Sequence, residues 1–359
     1  MRRATARVSA GAIERNARRM KQAAGGADLC AVVKADGYGH GIATALRAAR
    51  AGGARMLAVA SAGEAAAVRA AGDTGPLLIL GALAGSGEIR EALAADAEVA
   101  CWDPDFARML PDNARVHVKL DTGLGRLGTR DPRLATEIAE GLARRGALAG
   151  LWTHFATADE PGDEFFGEQL MRFKDWVTPL REQHPTATVH AANSAATLRD
   201  SASHFDMVRS GVALYGLDPF GTDPATQQLE PALTLTSYVA ALKLAQPGDS
   251  TGYGRRFVAT EPTMVATVPI GYGDGVRRGL SDNCEVLIGG RRRALLGTVS
   301  MDNITVQGDG CALGDEVVLL GAQGTERVLA EEWARRLQTI NYEVTCGISA
   351  RVQREPDAA

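Results

Sequence analysis

Residues 29–41 read LCAVVKADGYGHG, and the order of residue types in that stretch decides the fold. Five apolar residues, Leu29 to Val33, run without polar alternation into Lys34, and a glycine-rich loop follows. A short continuous apolar run bounded by turn residues marks a strand buried on both faces, the situation of strands in a parallel sheet. The segment behind the loop, GIATALRAARAGG, is Ala-rich and amphipathic and closes on glycine, which predicts a helix. Strand, loop and helix make one βα unit.

Outward from this unit the pattern repeats. Apolar runs recur at MLAVA (56–60), PLLIL (76–80), EVACW (98–102), RVHVKL (115–120), ALAGLW (147–152), ATVHA (187–191) and FDMV (205–208). Helix candidates lie between them, among them GEAAAVRAAG, DPRLATEIAEGLARRG and the longer 163–183 segment. About eight βα repeats predict a (β/α)₈ barrel, with a doubly wound open sheet as the competing architecture. After about residue 230 the strands follow one another without helices: LTLTSYVAALKL, TMVATVPI, CEVLIGG, ALLGTV and EVVLLG, with a single late helix, LAEEWARRLQ. The expected class is therefore α/β + β: a barrel over 1–230, a connection rich in proline and polar residues (DPFGTDPATQQLEP), and a mainly antiparallel β domain over 231–359.

Composition narrows the function classes. A net charge of −4 without a basic block disfavours nucleic acid and acidic membranes as partners. The amino-terminal stretch lacks the apolar run of a signal peptide or span, so a cytoplasmic location is expected. Five scattered cysteines (Cys30, Cys101, Cys284, Cys311, Cys346) lack the close pairs of a zinc site or disulfide scaffold, so reduced structural thiols and no metal are expected. Of 39 basic residues only Lys21, Lys34, Lys119, Lys174 and Lys243 are lysine. A lysine at the end of an apolar strand draws attention because an amine, unlike a guanidinium, loses its proton readily and becomes a nucleophile.

In a barrel the chemistry gathers at the carboxyl ends of the strands. Lys34 follows LCAVV, Lys119 ends RVHVK, His154 follows ALAGLWT, Asn193 and Ser194 follow VHAA, and Arg209 and Gly211 follow FDMV. The loops after the last two strands, which hold Ser194 and Gly211, are where such barrels commonly bind phosphate. Each residue also has a plainer reading. Lys34 fits a strand-end lysine reaching solvent, Lys119 a partner of Asp121, His154 a hydrogen-bonded core histidine, Arg209 a salt-bridge residue, and Asn193 and Ser194 caps of the following helix.

Eight segments together resemble the alanine racemases: VVKADGYGHG, VKLDTGLGRLG, THFATAD, HAANSAAT, MVRSGVALYG, PIGYGDGVRR, GTVSMDN and INYEV, in the family's order from residue 32 to 344. The resemblance implies a barrel that holds pyridoxal 5'-phosphate, a carboxyl-terminal β domain, and a homodimer with shared active sites whose small-molecule substrate is alanine. By matching position it implies that Lys34 is the Schiff-base lysine and Tyr253 the second catalytic base. It implies that Tyr38, Asn193, Ser194, Gly211 and Tyr342 lie around the cofactor phosphate, that Arg209 faces the pyridine nitrogen, and that His154 supports the ring and Arg209. Lys119 matches a lysine that is carbamylated and orients Arg126, and Met301 matches a backbone contact to the substrate carboxylate. The activity so implied is interconversion of L- and D-alanine for peptidoglycan synthesis, by two bases. Departures from the family pattern are Val299-Ser300 before Met301, Asp36 and Leu124. A racemase of broader specificity, a cofactor carrier without turnover, a barrel decarboxylase and a Schiff-base aldolase are the alternatives.

Overall fold

The computed structural model describes residues 2–357. Two compact units result: one is formed by residues 13–214 and 227–229, the other by 2–12, 215–226 and 230–357.

The first unit is a closed barrel. Strands β2 (Asp28–Val32), β3 (Met56–Val59), β4 (Leu77–Ile79), β5 (Glu98–Cys101), β6 (Val116–Lys119), β7 (Leu148–Trp152), β8 (Thr188–His190) and β9 (Met207–Ser210) pair in order, with β1 (Thr5–Val8) lying outside it. All barrel pairs are parallel, and β2 closes on β9 with Asp28 opposite Met207. Closure excludes the open doubly wound sheet. Every residue of β3, β4 and β6 is buried, which is why these strands read as unbroken apolar runs. Helices Ile42–Ala51, Pro132–Arg144 and Phe165–Gln183 fall within the expected segments, and Ala62–Ala70 starts one residue before its own. Asp103 and Asp131 cap Pro104–Met109 and Pro132–Arg144 by accepting from Phe106 N and Arg133 N, each with proline in the first turn.

The second unit is a mainly antiparallel β structure. Its larger sheet runs Arg291–Ala294, Glu285–Ile288, Glu316–Gln323, β10 (Leu233–Tyr238), β1 and Gln353–Pro356, with Glu326–Val328 on Glu316–Gln323. A smaller sheet joins Ala241–Ala245, Thr263–Val268 and Ile304–Gln307.

The structure departs from the sequence expectations in four places. The domain division of 1–230 and 231–359 misassigns the amino terminus, because β1 pairs antiparallel with β10 and parallel with Gln353–Pro356 and so lies in the β unit. LTLTSYVAALKL is two strands in different sheets, broken at Val239 and Ala240. ALLGTV is no strand: pairing ends at Ala294, and Leu295 keeps one isolated bridge to Val306. The late helix Ala330–Leu337 is followed by a second, Asn341–Cys346, which carries Tyr342.

Candidate active site

Lys34 stands where β2 ends, and the chain then winds the wrong way. Ala35, Asp36, Gly37 and Tyr38 all have φ between 52° and 62°, one turn of left-handed helix. For L-residues this conformation costs about 1–2 kcal/mol each, so something must hold it. Gly37 N donates to Val33 O at 2.9 Å and Gly39 N to Ala35 O at 2.9 Å. Glu64 accepts from Ala35 N at 2.7 Å and from Ala60 N at 2.7 Å, and Asp36 accepts from Ile42 N at 2.7 Å. The turn sends Tyr38 back into a buried position. Backbone strain concentrated next to the amine is the kind found at functional sites.

Arg209, on β9, is the hub of the barrel mouth and is only 3% exposed. It donates to Thr153 O at 2.8 Å, Ala191 O at 2.9 Å, His154 Nδ1 at 3.1 Å and His190 Nδ1 at 2.8 Å. A guanidinium has five N–H groups. Three of these acceptors share the two N–H groups of Nη2 and His190 takes one from Nη1, so these contacts leave two N–H groups, one on Nη1 and one on Nε, for a ligand that offers an acceptor. Removal from water first, then the charges of Arg209, Lys119, Arg126 and Lys34, hold His154 well below the ordinary histidine range. His154 is therefore neutral and surrounded by cations. Because its Nδ1 accepts from Arg209, its proton sits on Nε2.

Lys119 is 2% exposed, with its Nζ 4.5 Å from the centre of the Trp152 ring; Arg209 lies 4.9 Å from the same ring. Burial, then Arg209 and Arg126, bring its pKa down to about 7 against the opposing pull of Asp121. Asp121 itself is engaged elsewhere, accepting from the amides of Gly123 and Gly125 and from Arg130. Thus the amine of Lys119 is half neutral near neutral pH. Arg126 lies exposed in the same loop.

At the loops after β8 and β9, Ser194 Oγ accepts from Gly211 N at 3.0 Å and stands 3.2 Å from Ser210 Oγ. A β-carbon at Gly211 would lie 2.4 Å from the Tyr38 hydroxyl oxygen, so glycine is what lets that phenol approach the backbone. The hydroxyls of Ser194, Ser210 and Tyr38 converging at the Gly211 backbone form a donor set suited to a phosphate. With Lys34 as an amine, Arg209 retaining an N–H and this hydroxyl cluster, the residues fit pyridoxal phosphate. Asn193 realises its plainer reading: it caps Ser194–Arg199 by accepting from Ala196 N at 2.9 Å.

The barrel unit thus gathers Lys34, Tyr38, Lys119, Arg126, His154, Asn193, Ser194, Arg209 and Gly211 at one mouth. Tyr253, Met301 and Tyr342 belong to the β unit. Tyr253 opens a short turn between Gly252 (φ 76°) and Gly254 (φ 74°), is 73% exposed, and its carbonyl accepts from Thr298 Oγ1. Met301 is 51% exposed; its carbonyl accepts from Gly273 N. Tyr342 is half-buried, next to Asn341, which donates to Asp218 O and Glu331 Oε1, both at 2.8 Å. The expectations did not include Trp152, His117, His190 or Glu98 as part of the site. The only sequence signal for His117 is a polar residue two places before Lys119, on the same strand face.

A closed parallel barrel whose mouth gathers amines, guanidinium groups and hydroxyls, together with a mainly antiparallel β unit, defines a class of two-domain barrel proteins. The family descriptions "Alanine racemase, N-terminal domain" and "Alanine racemase, C-terminal domain" match residues 8–219 and 232–356. The chain is 43% identical over 351 residues to "Alanine racemase" of Frankia casuarinae, covering 92% of this chain and 90% of that one. It is 39% identical to "Alanine racemase 1" of Bacillus subtilis, with 97% and 92% covered. Among solved structures, alanine racemase from D-cycloserine-producing Streptomyces lavendulae superposes with a TM-score of 0.93 at 35% identity, covering 100% and 98%. That from Bacillus anthracis with bound L-Ala-P gives 0.89 at 34%, covering 100% and 96%. The chain belongs to the alanine racemase family, whose members are pyridoxal-phosphate enzymes.

Proposed function

We propose that the protein is a cytoplasmic isomerase that interconverts L- and D-alanine with pyridoxal phosphate as cofactor, supplying D-alanine for peptidoglycan. The observation that carries this reading is the meeting of two amines, Lys34 and Lys119, with two guanidinium groups, Arg126 and Arg209, around a neutral His154 that accepts from Arg209. Such a mouth suits a ligand that brings a phosphate, a ring acceptor and a substrate carboxylate together.

Racemisation takes a proton from one face of the α-carbon and returns one to the other, so it needs two acid–base groups on opposite sides. Pyridoxal phosphate, when bound, supplies the electron sink that stabilises negative charge at that carbon. The amine of Lys34 would hold the cofactor, and it is the group that would move the proton on the D side. Tyr253 from a second copy of the chain moves the proton on the L side, which makes the functional unit a homodimer with shared sites. A phenol, with a pKa of about 10, is a poor base at neutral pH. The Nε2–H of His154 and the charge of Arg126 favour its phenolate. Arg209 stays protonated and would offer an N–H that the protein leaves unused to the ring nitrogen, where a donor keeps that nitrogen from holding a proton of its own and would disfavour transamination. Ser194, Gly211, Tyr38, Asn193 and Tyr342 hold the phosphate end. The backbone at Met301 meets the substrate carboxylate, and the bulk of Tyr342 restricts the side chain to a methyl.

The test is D-alanine formation from L-alanine by the purified protein, with L-serine as comparator. Turnover of alanine well above serine supports the reading. Comparable rates favour the broader racemase, and the absence of both overturns it.

Lys119 is the residue that converts to a carbamate in this scheme: its neutral amine adds to carbon dioxide and gives up a proton. Because its pKa is lowered to about 7, the reactive form predominates above that pH and is lost as pH falls through it. Carbon-13 NMR with labelled bicarbonate is expected to show one protein carbamate signal at a pH of about 8 that fades below about 7, and none in Lys119→Arg.

A further inference from the structure

Arginine only donates hydrogen bonds, and that fact fixes the protons of two buried histidines behind it. Arg209 Nη1 lies 2.8 Å from His190 Nδ1, so that nitrogen is bare and the His190 proton is on Nε2. His190 Nε2 is 2.8 Å from His117 Nδ1, which must then accept. The His117 proton is therefore on Nε2, 2.6 Å from Glu98 Oε2. Four side chains on β9, β8, β6 and β5 thus form a chain in which every hydrogen bond runs the same way, from guanidinium to carboxylate.

The barrel is built around this chain. His117 and His190 are both fully buried, and a β-carbon at Gly150 of β7 would lie 2.2 Å from His117 Nδ1, so glycine makes room for the ring. Trp152 stacks on His190 with ring centres 5.5 Å apart. Removal from water, then the charge of Arg209, hold His190 well below the usual histidine range. Burial pushes Glu98 upward, but the hydrogen bond from His117 and the nearby charge of Arg115 outweigh it and keep the carboxyl below its ordinary range. Glu98 opens β5, at the amino-terminal end of the barrel, where Arg115 stands 3.3 Å from its other oxygen.

We propose that Glu98 is a positioning residue for the racemase reaction: it is the counter-charge of Arg209, delivered through His117 and His190, and it holds the guanidinium charged and oriented toward the cofactor ring. A carboxylate touching Arg209 directly would compete with the ring nitrogen for its N–H groups. Two intervening imidazoles neutralise the buried charge without that competition. The inference rests on the proposed place of Arg209 at the ring nitrogen.

The experiment compares the holoenzyme with Glu98→Gln, which keeps an accepting oxygen and loses the charge, and with Glu98→Asp, which keeps the charge. Nitrogen-15 NMR of the histidine rings in the unmodified enzyme is expected to show His117 and His190 neutral and protonated on Nε2. Glu98→Gln is expected to lower kcat on the order of tenfold, as removing an outer partner of a functional histidine does, with little change in KM. The absorption band of the bound cofactor should shift with it, and Glu98→Asp should restore most of both. Either ring protonated on Nδ1 in the unmodified enzyme, or a Glu98→Gln protein with unaltered kcat and cofactor spectrum, overturns the proposal. Failure of the unmodified protein to bind pyridoxal phosphate overturns instead the reading of Arg209, because the ring tautomers are read independently of the cofactor.

Discussion

Lys34→Ala is expected to abolish racemisation, with a loss of about 10⁴-fold or more, and to remove the near-visible absorbance of covalently held cofactor. The size of the effect follows from two duties resting on one amine, anchoring the cofactor and moving a proton. Lys34 is half-buried at the end of β2, outside the packed barrel core, so its truncation leaves the fold intact and the loss reads chemistry. Lys34→Arg sharpens the test, since it keeps a cation in place but offers no nucleophilic nitrogen. Absorption spectra and alanine turnover of the three proteins check the prediction. Covalent cofactor persisting in either variant would remove Lys34 from its role.

Tyr253→Phe comes second in expected size. The hydroxyl it removes belongs to a side chain 73% exposed, in a turn held by backbone contacts such as Thr298 Oγ1 on the Tyr253 carbonyl, so stability should change little. The L-to-D rate is expected to fall by about 10²–10⁴-fold, the range for a positioned acid–base group. Exchange of the D-alanine α-proton with solvent, which Lys34 performs, is expected to survive in part. The measurement is L-to-D turnover together with loss of deuterium from α-labelled D-alanine. Equal damage to both, or to neither, contradicts a division of labour between two bases.

The barrel was legible in the sequence because its strands are buried on both faces, and that burial writes itself as eight apolar runs. Lys34, Lys119, His154 and Arg209 were legible as polar residues where those runs end. Other features have no local signature. The left-handed turn at Ala35–Tyr38 depends on Glu64, a residue from the following βα unit that reaches the Ala35 amide. The chain from Arg209 to Glu98 joins strands far apart in sequence, and only the closed barrel aligns their inward faces. The roles of Tyr253, Met301 and Tyr342 came from resemblance alone, since nothing in an exposed turn or a short helix announces chemistry. β1 escaped because four residues carry little periodicity, and its place is set by partners at the other end of the chain.

That last pairing has a consequence for how the protein is made. Thr5–Val8 is made before the barrel strands, yet one of its neighbours, Leu233–Tyr238, appears only after all eight of them, and the other, Gln353–Pro356, follows more than a hundred residues later still. Long-range pairings of this kind form slowly, and an unpaired strand edge is prone to stick to other chains. During synthesis this strand must therefore wait, unpaired, until every barrel strand has been made, and the larger β sheet is completed after them.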